Sequence, residues 1–577
     1  MTVSRKLSAV AAAGLLLFAA CTAAQQATST PTESVKPSAT ATPQPQGAPT
    51  AGPVATPTPA PTATRQAQTQ PKSGGTLLMP VRNDPTSWDP HFTHVDATAE
   101  TTSMVFAGLI RANPPPDKDK LCANVVQPLM ATSWKWVADT TLEFQVRQGV
   151  KFHNKAPVNG REMTAQDVAF SFQRMKEMLP RTKPLTDHIT GVQATGNYTV
   201  QFKTDIPFPA LVTDLFALSR GAYVLPPEAA VGGKYEDPAK THIGTGPFMF
   251  SKYVPGVRVE YTRNPAYFDQ PQPYLDGVTY FIMPDMSTRL AALRSGRLNL
   301  AKDVNGGSIV DAVKTSSSLT ALVCEGNSPE VIYMRTDLPP FNDVRVRQAI
   351  SMAINRQGIV EAIFEGQGKP TPVLPSLIPG AMTMDDFPSE VRKYLEYRPD
   401  EARALLRQAA PSGLKVQLRG TPQYPSPYPE LIQAAAADLQ KIGFQVDIDM
   451  QEYGAYSRAT LLGDYPQMAL THALIGAASD GTGLPNFLSR SGWGTNRSHV
   501  QDPELDKMID RWLVTLDEQQ RKALGWDIQK YVVEKAYRVV LPAPNEGLIV
   551  RPEVKNATWR ATERIVGPWL AQMWLDQ

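Results

Sequence analysis

The segment His242-Ile-Gly-Thr-Gly-Pro-Phe248, followed by Arg263-Asn-Pro-Ala-Tyr-Phe268 and Pro273-Tyr-Leu-Asp-Gly-Val278, decides how this chain folds. Thr245-Gly-Pro247 reads as a turn: Gly246 permits unusual dihedrals and Pro247 fixes φ. Arg263-Asn-Pro265 reads as another turn, between strands. These are folding signals, and they identify a scaffold rather than a ligand. Working outward, strands and helices alternate, which predicts α/β layers. Thr76 to Val81 is an opening strand, followed by the turn-rich loop Asp84 to Pro90. Thr141 to Arg147 alternates apolar and polar residues, so Leu142, Phe144 and Val146 share a buried face. Thr164 and Asp167 start a helix, with Thr164 accepting orphan N–H groups; Val168, Phe172, Met175 and Leu179 follow at helical spacing, and Pro180 ends the run. Asn342 and Asp343 are cap candidates for a helix carrying Val346, Ile350 and Ile354, and Asn355 caps the next one. A further helix spans about Pro429 to Lys441 and stops at Gly443, ahead of the strand Phe444 to Met450.

The chain has 577 residues, 57 basic and 55 acidic, for a net charge of +2. No basic block with interleaved aromatics points to nucleic acid. The N-terminus has its own character. Arg5 and Lys6 precede an apolar run, Ala9 to Ala20, too short to span a bilayer, which takes ~20 residues. This reads as an export signal. Leu17-Phe18-Ala19-Ala20-Cys21 resembles a lipobox, with Phe18 where Leu is usual, so residues 1–21 are expected to end at a lipidated Cys21. The alternative is a plain secretory signal with an incidental cysteine. Acyl chains contribute ~0.8 kcal/mol per buried CH₂ and hold a protein on a membrane without a spanning helix. Residues 22–73 are Thr, Pro, Ala and Gln with few large apolar side chains, which predicts a disordered, extended stalk. From Gly74 the composition is globular and long enough for more than one domain. Cys122 and Cys324 are the other two cysteines; a disulfide and two separately buried thiols both remain open.

The opening segments resemble the signature of the family 5 solute-binding proteins, the peptide- and nickel-type receptors of ABC importers. Other pieces lie in the same order: Gly74-Gly-Thr76 with Ser87-Trp-Asp-Pro90; Leu129 to Trp134, Arg147 to His153 and Thr164 to Val168; Ile282 to Asp285 with Arg289; and Pro340 to Ala349. The resemblance implies an α/β, two-lobed periplasmic-binding-protein-like fold of type II, the peptide-receptor class with an extra domain. Lobe 1 would be 74–326, including the extra domain at about 113–241. Lobe 2 would be 327–541, and 542–577 would return to lobe 1. Solute would lie in the cleft and favour closure. The partners implied are a peptide or other small ligand, permease subunits with their ATPases, and the membrane through the lipid anchor. A monomer is expected, extracytoplasmic, with no cofactor.

A buried peptide zwitterion needs an anion for its amine and donors for its carboxylate. In the stretch Ala478 to Leu488, Asp480 falls at the family's ligand aspartate, flanked by Ser479 and Gly481; its other reading is an exposed turn residue. Ala477 stands where a tryptophan is frequent. The carboxylate-binding arginine of dipeptide receptors aligns with Pro422. Arg419 is close enough to substitute, or is a plain surface arginine. Tyr424 and Tyr428 line the pocket or pack within their proline-rich loop. A longer peptide, bound as an added strand, needs no carboxylate clamp. Nickel needs imidazole or a chelator, and the nearest histidine pair is His91 and His94, so no metal site is expected. Oligosaccharides and opines stay open as solutes; Trp88, Trp493 and Trp526 either stack on a sugar or, as the default for each, pack in the interior. A secreted hydrolase is the distant alternative, but no Gly-x-Ser-x-Gly elbow, His-Glu-x-x-His motif or P-loop supports an enzyme.

Overall fold

The computed structural model describes residues 70–577 apart from 93–95, 114–121, 123–124, 179–182, 218–220, 327, 376–377, 379, 425–426, 462, 473–483, 490–495 and 559–566. The export signal with Cys21, most of the stalk, His94, Leu179, Pro180, Ala477, the Ser479-Asp480-Gly481 triplet and Trp493 lie outside the described residues. The rest belongs to one unit, Thr69–Gln577. In chain order its principal strands open with β1 (Thr76–Val81), β2 (Ala131–Ala138) and β3 (Thr141–Val146), before helix α1 (Ala165–Met178). Then come β4 (Ile189–Gly196), β5 (Thr199–Thr204), β6 (Phe248–Val254), β7 (Arg258–Arg263), β8 (Gly277–Ile282), β9 (Leu300–Asn305) and β10 (Thr320–Cys324). The second half holds β11 (Glu330–Met334), α2 (Val344–Ala353), α3 (Arg356–Ala362), β12 (Leu414–Gly420), α4 (Tyr428–Ile442), β13 (Phe444–Met450) and β14 (Met468–His472). Near the end are β15 (Arg538–Val540) and β16 (Glu546–Val550).

The signature binds the first sheet, ordered β1-β8-β7-β6, to its surroundings. Gly246 N–H donates to Val105 O at 2.8 Å, and Asn264 Nδ2 donates to Gly246 O at 2.9 Å. Gly246 does not use a positive φ, as the sequence suggested. It is needed for space: a Cβ there would lie 2.6 Å from Met104 O, and one at Gly244 would lie 2.0 Å from Val105 O. Arg263 pairs with Asp276 and donates through Nε to Leu275 O at 3.0 Å, closing the connection to β8. The three quoted motifs thus fasten one another.

A second antiparallel sheet is ordered β2-β3-β5-β4. Leu142, Phe144 and Val146 are buried on its inner face. There Phe172 of α1 meets Phe202 at 5.1 Å between ring centroids. The start of α1 differs from expectation. The Thr164 hydroxyl donates to Asp167 instead of accepting, and Asp167 also takes the Thr164 N–H at 2.8 Å. Cys122 and Cys324 form a disulfide, their Cα atoms 5.5 Å apart.

The third large sheet is ordered β13-β12-β14-β11-β15, with β12 parallel to β13 and β14 and with β11 antiparallel to β14 and β15. Its core holds Ile332, Ile350, Leu418, Ile432 and Leu470. Asp343 caps α2, accepting Arg345 N–H at 2.8 Å; Asn355 caps α3, accepting Gly358 N–H at 2.9 Å. Gly443, at φ 113°, ends α4. Strand β16 does not join this sheet. It lies between β9 and β10, so the chain passes from the β10 sheet to the β11 sheet and back. The two passages run side by side: a Cβ on Gly326 would lie 1.9 Å from Pro544 O.

Candidate functional site

In open α/β sheets, ligands bind beyond the carboxyl ends of the parallel strands. Here that end is formed by Gly420 of β12, His472 of β14 and, because β11 runs the other way, Glu330 at the start of β11. Residues 325–326, which lead into β11 from β10, sit next to this end in the chain. The site therefore lies beside the passage between the two sheets.

Gly420, the last residue of β12, leaves room for α4 to pack closely. A Cβ on it would lie 2.4 Å from Ile432 Cδ1 and 3.0 Å from Tyr428 Oη. The loop beyond carries Tyr424 into an aromatic group. Its ring centroid is 5.0 Å from Tyr428, 5.7 Å from Tyr456, 5.8 Å from Tyr453 and 4.7 Å from His472. The Tyr428 and Tyr456 hydroxyls both donate to Leu470 O, at 2.7 and 2.8 Å, and so tie the loop and the 453–461 helix to β14. Burial pushes the Tyr424 phenol up to about 12, so it stays a neutral hydroxyl at ordinary pH.

Glu330 and His472 are direct cross-strand partners. His472 Nδ1 is 2.6 Å from Glu330 Oε1; the glutamate side chain is 7% exposed and the histidine 54%. Glu330 Oε2 is buried with no hydrogen-bond partner. Burial pulls the His472 pKa down, but the bonded, charged Glu330 outweighs both that and the repulsion of Arg497, and the net shift is upward. Arg497 is buried, donates through Nη1 to His472 O at 3.2 Å, and sits 5.7 Å from the Tyr333 ring centroid.

The structure does not bring the described candidates together. Tyr424 stands in the aromatic group at the sheet end. Arg419 pairs through Nε with Asp449 at 2.9 Å, its neighbour across β12 and β13. Arg419 is also abreast of Ala469, and side chains alternate along a strand, so Arg419 and His472 occupy opposite faces. Ser479, Asp480 and Gly481 lie in the stretch outside the described residues that follows β14. His91 is fully buried, with Nε2 facing Tyr223 O at 3.3 Å. Among the described residues no group of three or more His, Cys, Asp and Glu is arranged to hold a metal ion. The sequence reading passed over Glu330 and His472. Their signal was a lone ionisable residue at one end of an apolar strand: Glu before Val-Ile-Tyr-Met, His after Met-Ala-Leu-Thr.

Such an end can bind: it offers an aromatic wall, an oriented imidazole and a buried acid. Known proteins resemble the chain along nearly all of its folded part. The chain is 27% identical over 512 residues to the probable di/tripeptide-binding protein 5 of Pseudomonas aeruginosa, covering 84% of this chain and 94% of that one. It is 27% identical over 465 residues to the dipeptide-binding protein of Escherichia coli, covering 76% and 84%. Among solved structures, the ABC transporter-associated periplasmic binding protein DppA of Helicobacter pylori, in complex with the peptide STSA, superposes with a TM-score of 0.69 at 24% identity, over 88% of this chain and 99% of that one. This likeness makes the fold that of the two-lobed periplasmic peptide-binding proteins. The family model described as "Bacterial extracellular solute-binding proteins, family 5 Middle" matches residues 125–495. The chain belongs to the bacterial extracellular solute-binding proteins of family 5.

Proposed function

We propose that this protein captures a peptide outside the cytoplasm and hands it, unaltered, to an ABC importer. Support comes first from the relatives, whose names state di/tripeptide or dipeptide binding and whose matches cover 84% and 76% of this chain. It comes next from the sheet end beside the passage, where polar and aromatic side chains converge. Lobe 1 comprises 74–326 with the extra domain at about 113–241, lobe 2 comprises 327–541, and 542–577 returns to lobe 1. Solute binds between them and is favoured by closure in proportion to its preference for the closed form. Permease subunits, served by their ATPases, then take the solute from the closed receptor. The protein acts as a monomer. Cys21 carries the lipid anchor on the outer face of the cell membrane, and residues 22–73 act as the stalk. Among the described residues no helix is long and apolar enough to cross a membrane.

Within the cleft, Asp480, flanked by Ser479 and Gly481, holds the peptide ammonium, and Tyr424 forms the wall. Arg419, occupied by Asp449, serves the sheet more than the solute. Native mass spectrometry of freshly purified protein tests the solute class, with co-purified peptide masses as the expected result; an opine, a sugar or a nickel chelate would redirect it. Calorimetry tests the site: Asp480→Ala is expected to weaken peptide binding by roughly 100-fold or more, because a buried ammonium loses its anion. Unchanged affinity would remove Asp480 from the site.

A further inference from the structure

A peptide brings an anion into the cleft, and an enclosing site has to meet it with donors. Arg419 faces the other side of the sheet and is bonded to Asp449. His472 lies on the opposite face. It stands at the carboxyl end of β14, in contact with the Tyr424 ring, and more than half of its side chain is exposed. Its Nδ1 is held 2.6 Å from Glu330 Oε1. Glu330 is buried and its Oε2 has no partner, so the negative charge of that carboxylate is directed at one imidazole. No described residue bonds Nε2 of His472. The charged and titratable groups facing the ring are Glu330 from β11, Tyr424 from the loop after β12 and Arg497 from the segment before the 503–513 helix. Arg497 binds the His472 carbonyl and adds positive potential without occupying Nε2.

We propose that His472 is the anion-binding residue of this receptor: its Nε2–H donates to a carboxylate of the bound solute, while Glu330 holds Nδ1–H and fixes the ring. The assignment rests on the peptide reading above. It is specific to the imidazolium. A neutral ring with Nδ1–H on Glu330 presents a lone pair at Nε2, which repels a carboxylate. The preference for an anion should therefore be full at low pH and fade as pH rises through the pKa of His472.

The probe is a set of alanine peptides of two to five residues, each as the free acid and as the C-terminal amide, measured by calorimetry on the full chain. The wild type is expected to bind the acid of its preferred length roughly tenfold or more tightly than the amide, as befits a charge-assisted bond. His472→Gln should bind acid and amide alike, with an unchanged circular dichroism spectrum. His472→Arg should keep the preference and lose its pH dependence. The wild-type profile itself needs no variant: the preference should fall as pH rises above the ordinary histidine value of ~6.5. A flat profile, a wild type indifferent to the amide, or a folded His472→Gln that still prefers the acid overturns the assignment and leaves the peptide reading standing. A wild type that binds none of the peptides in either form overturns the peptide reading and this assignment with it.

Discussion

At the residue scale, three histidines sit where an imidazolium has no water to support it. His91, His153 and His242 are each 1% exposed or less. Their Nε2 atoms face Tyr223 O, Gly246 O and Trp88 O at 3.3, 3.0 and 2.9 Å. Burial drives His91 down to about 3 and His153 and His242 down to about 4. The unfolded chain, with an ordinary value of ~6.5, takes up these protons first. A depressed folded value therefore means stability that is full above about pH 6.5 and lost as pH falls below it. Asp89, whose buried carboxylate is held low by Arg174 against the opposing effect of burial, adds to the loss at more acid pH. Between about pH 7 and about pH 5 each histidine should contribute a loss on the order of 1–2 kcal/mol. Urea unfolding at the two pH values should show a lower midpoint at the acid one, with two to three protons taken up per molecule unfolded. Equal midpoints would mean that these rings are not buried neutral.

At the element scale, the glycines of the signature make the sharpest prediction. At Gly246 a Cβ would meet Met104 O and Val105 O at 2.6 Å and Val105 C at 2.7 Å, all backbone. Nothing there yields without opening the turn that joins the signature to the first sheet. Gly246→Ala should destabilise by about 2–4 kcal/mol in thermal or denaturant unfolding. Gly191→Ala is the control: nothing lies within 4 Å of its Cβ and its φ is not positive. It should stay within about 0.5 kcal/mol. The contrast also shows what one sequence reveals. Alternation in Leu142, Phe144 and Val146, the caps Asp343 and Asn355 and the stop at Gly443 are local, and all were readable. That Gly246 mattered was readable too, but its reason was not, because Val105 and Met104 come from a distant segment. The direction of the Thr164 cap depends on which of two side chains takes the backbone N–H, and composition does not encode that. The Glu330–His472 pair depends on register between strands far apart in sequence.

At the scale of the whole molecule, the two halves meet where the chain passes twice between sheets. Gly368–Lys369 pairs with Ala543–Pro544, Lys369 pairs with Glu325, and Gly306 N–H donates to Asn545 O at 3.1 Å. The disulfide stands beside this crossing, since Cys324 is the last residue of β10. Yet it does not span it. Cys324 belongs to the large cluster that holds Phe144, Phe202 and Tyr280, Cys122 packs against it, and neither is part of the core around Ile332 and Leu470. The bond therefore staples one body. It closes a loop with a sequence separation of 202, which limits the unfolded chain and stabilises the fold by about 2–5 kcal/mol. The double variant Cys122→Ser with Cys324→Ser should lose that much in denaturant unfolding. Its solute affinity, and the fall in radius of gyration when solute is added, should match those of the wild type, because the closure proposed above would rotate the stapled body as a unit. A variant that keeps its stability would mean that the bond does not stabilise the fold, and one that no longer contracts on binding would place the bond within the closing movement.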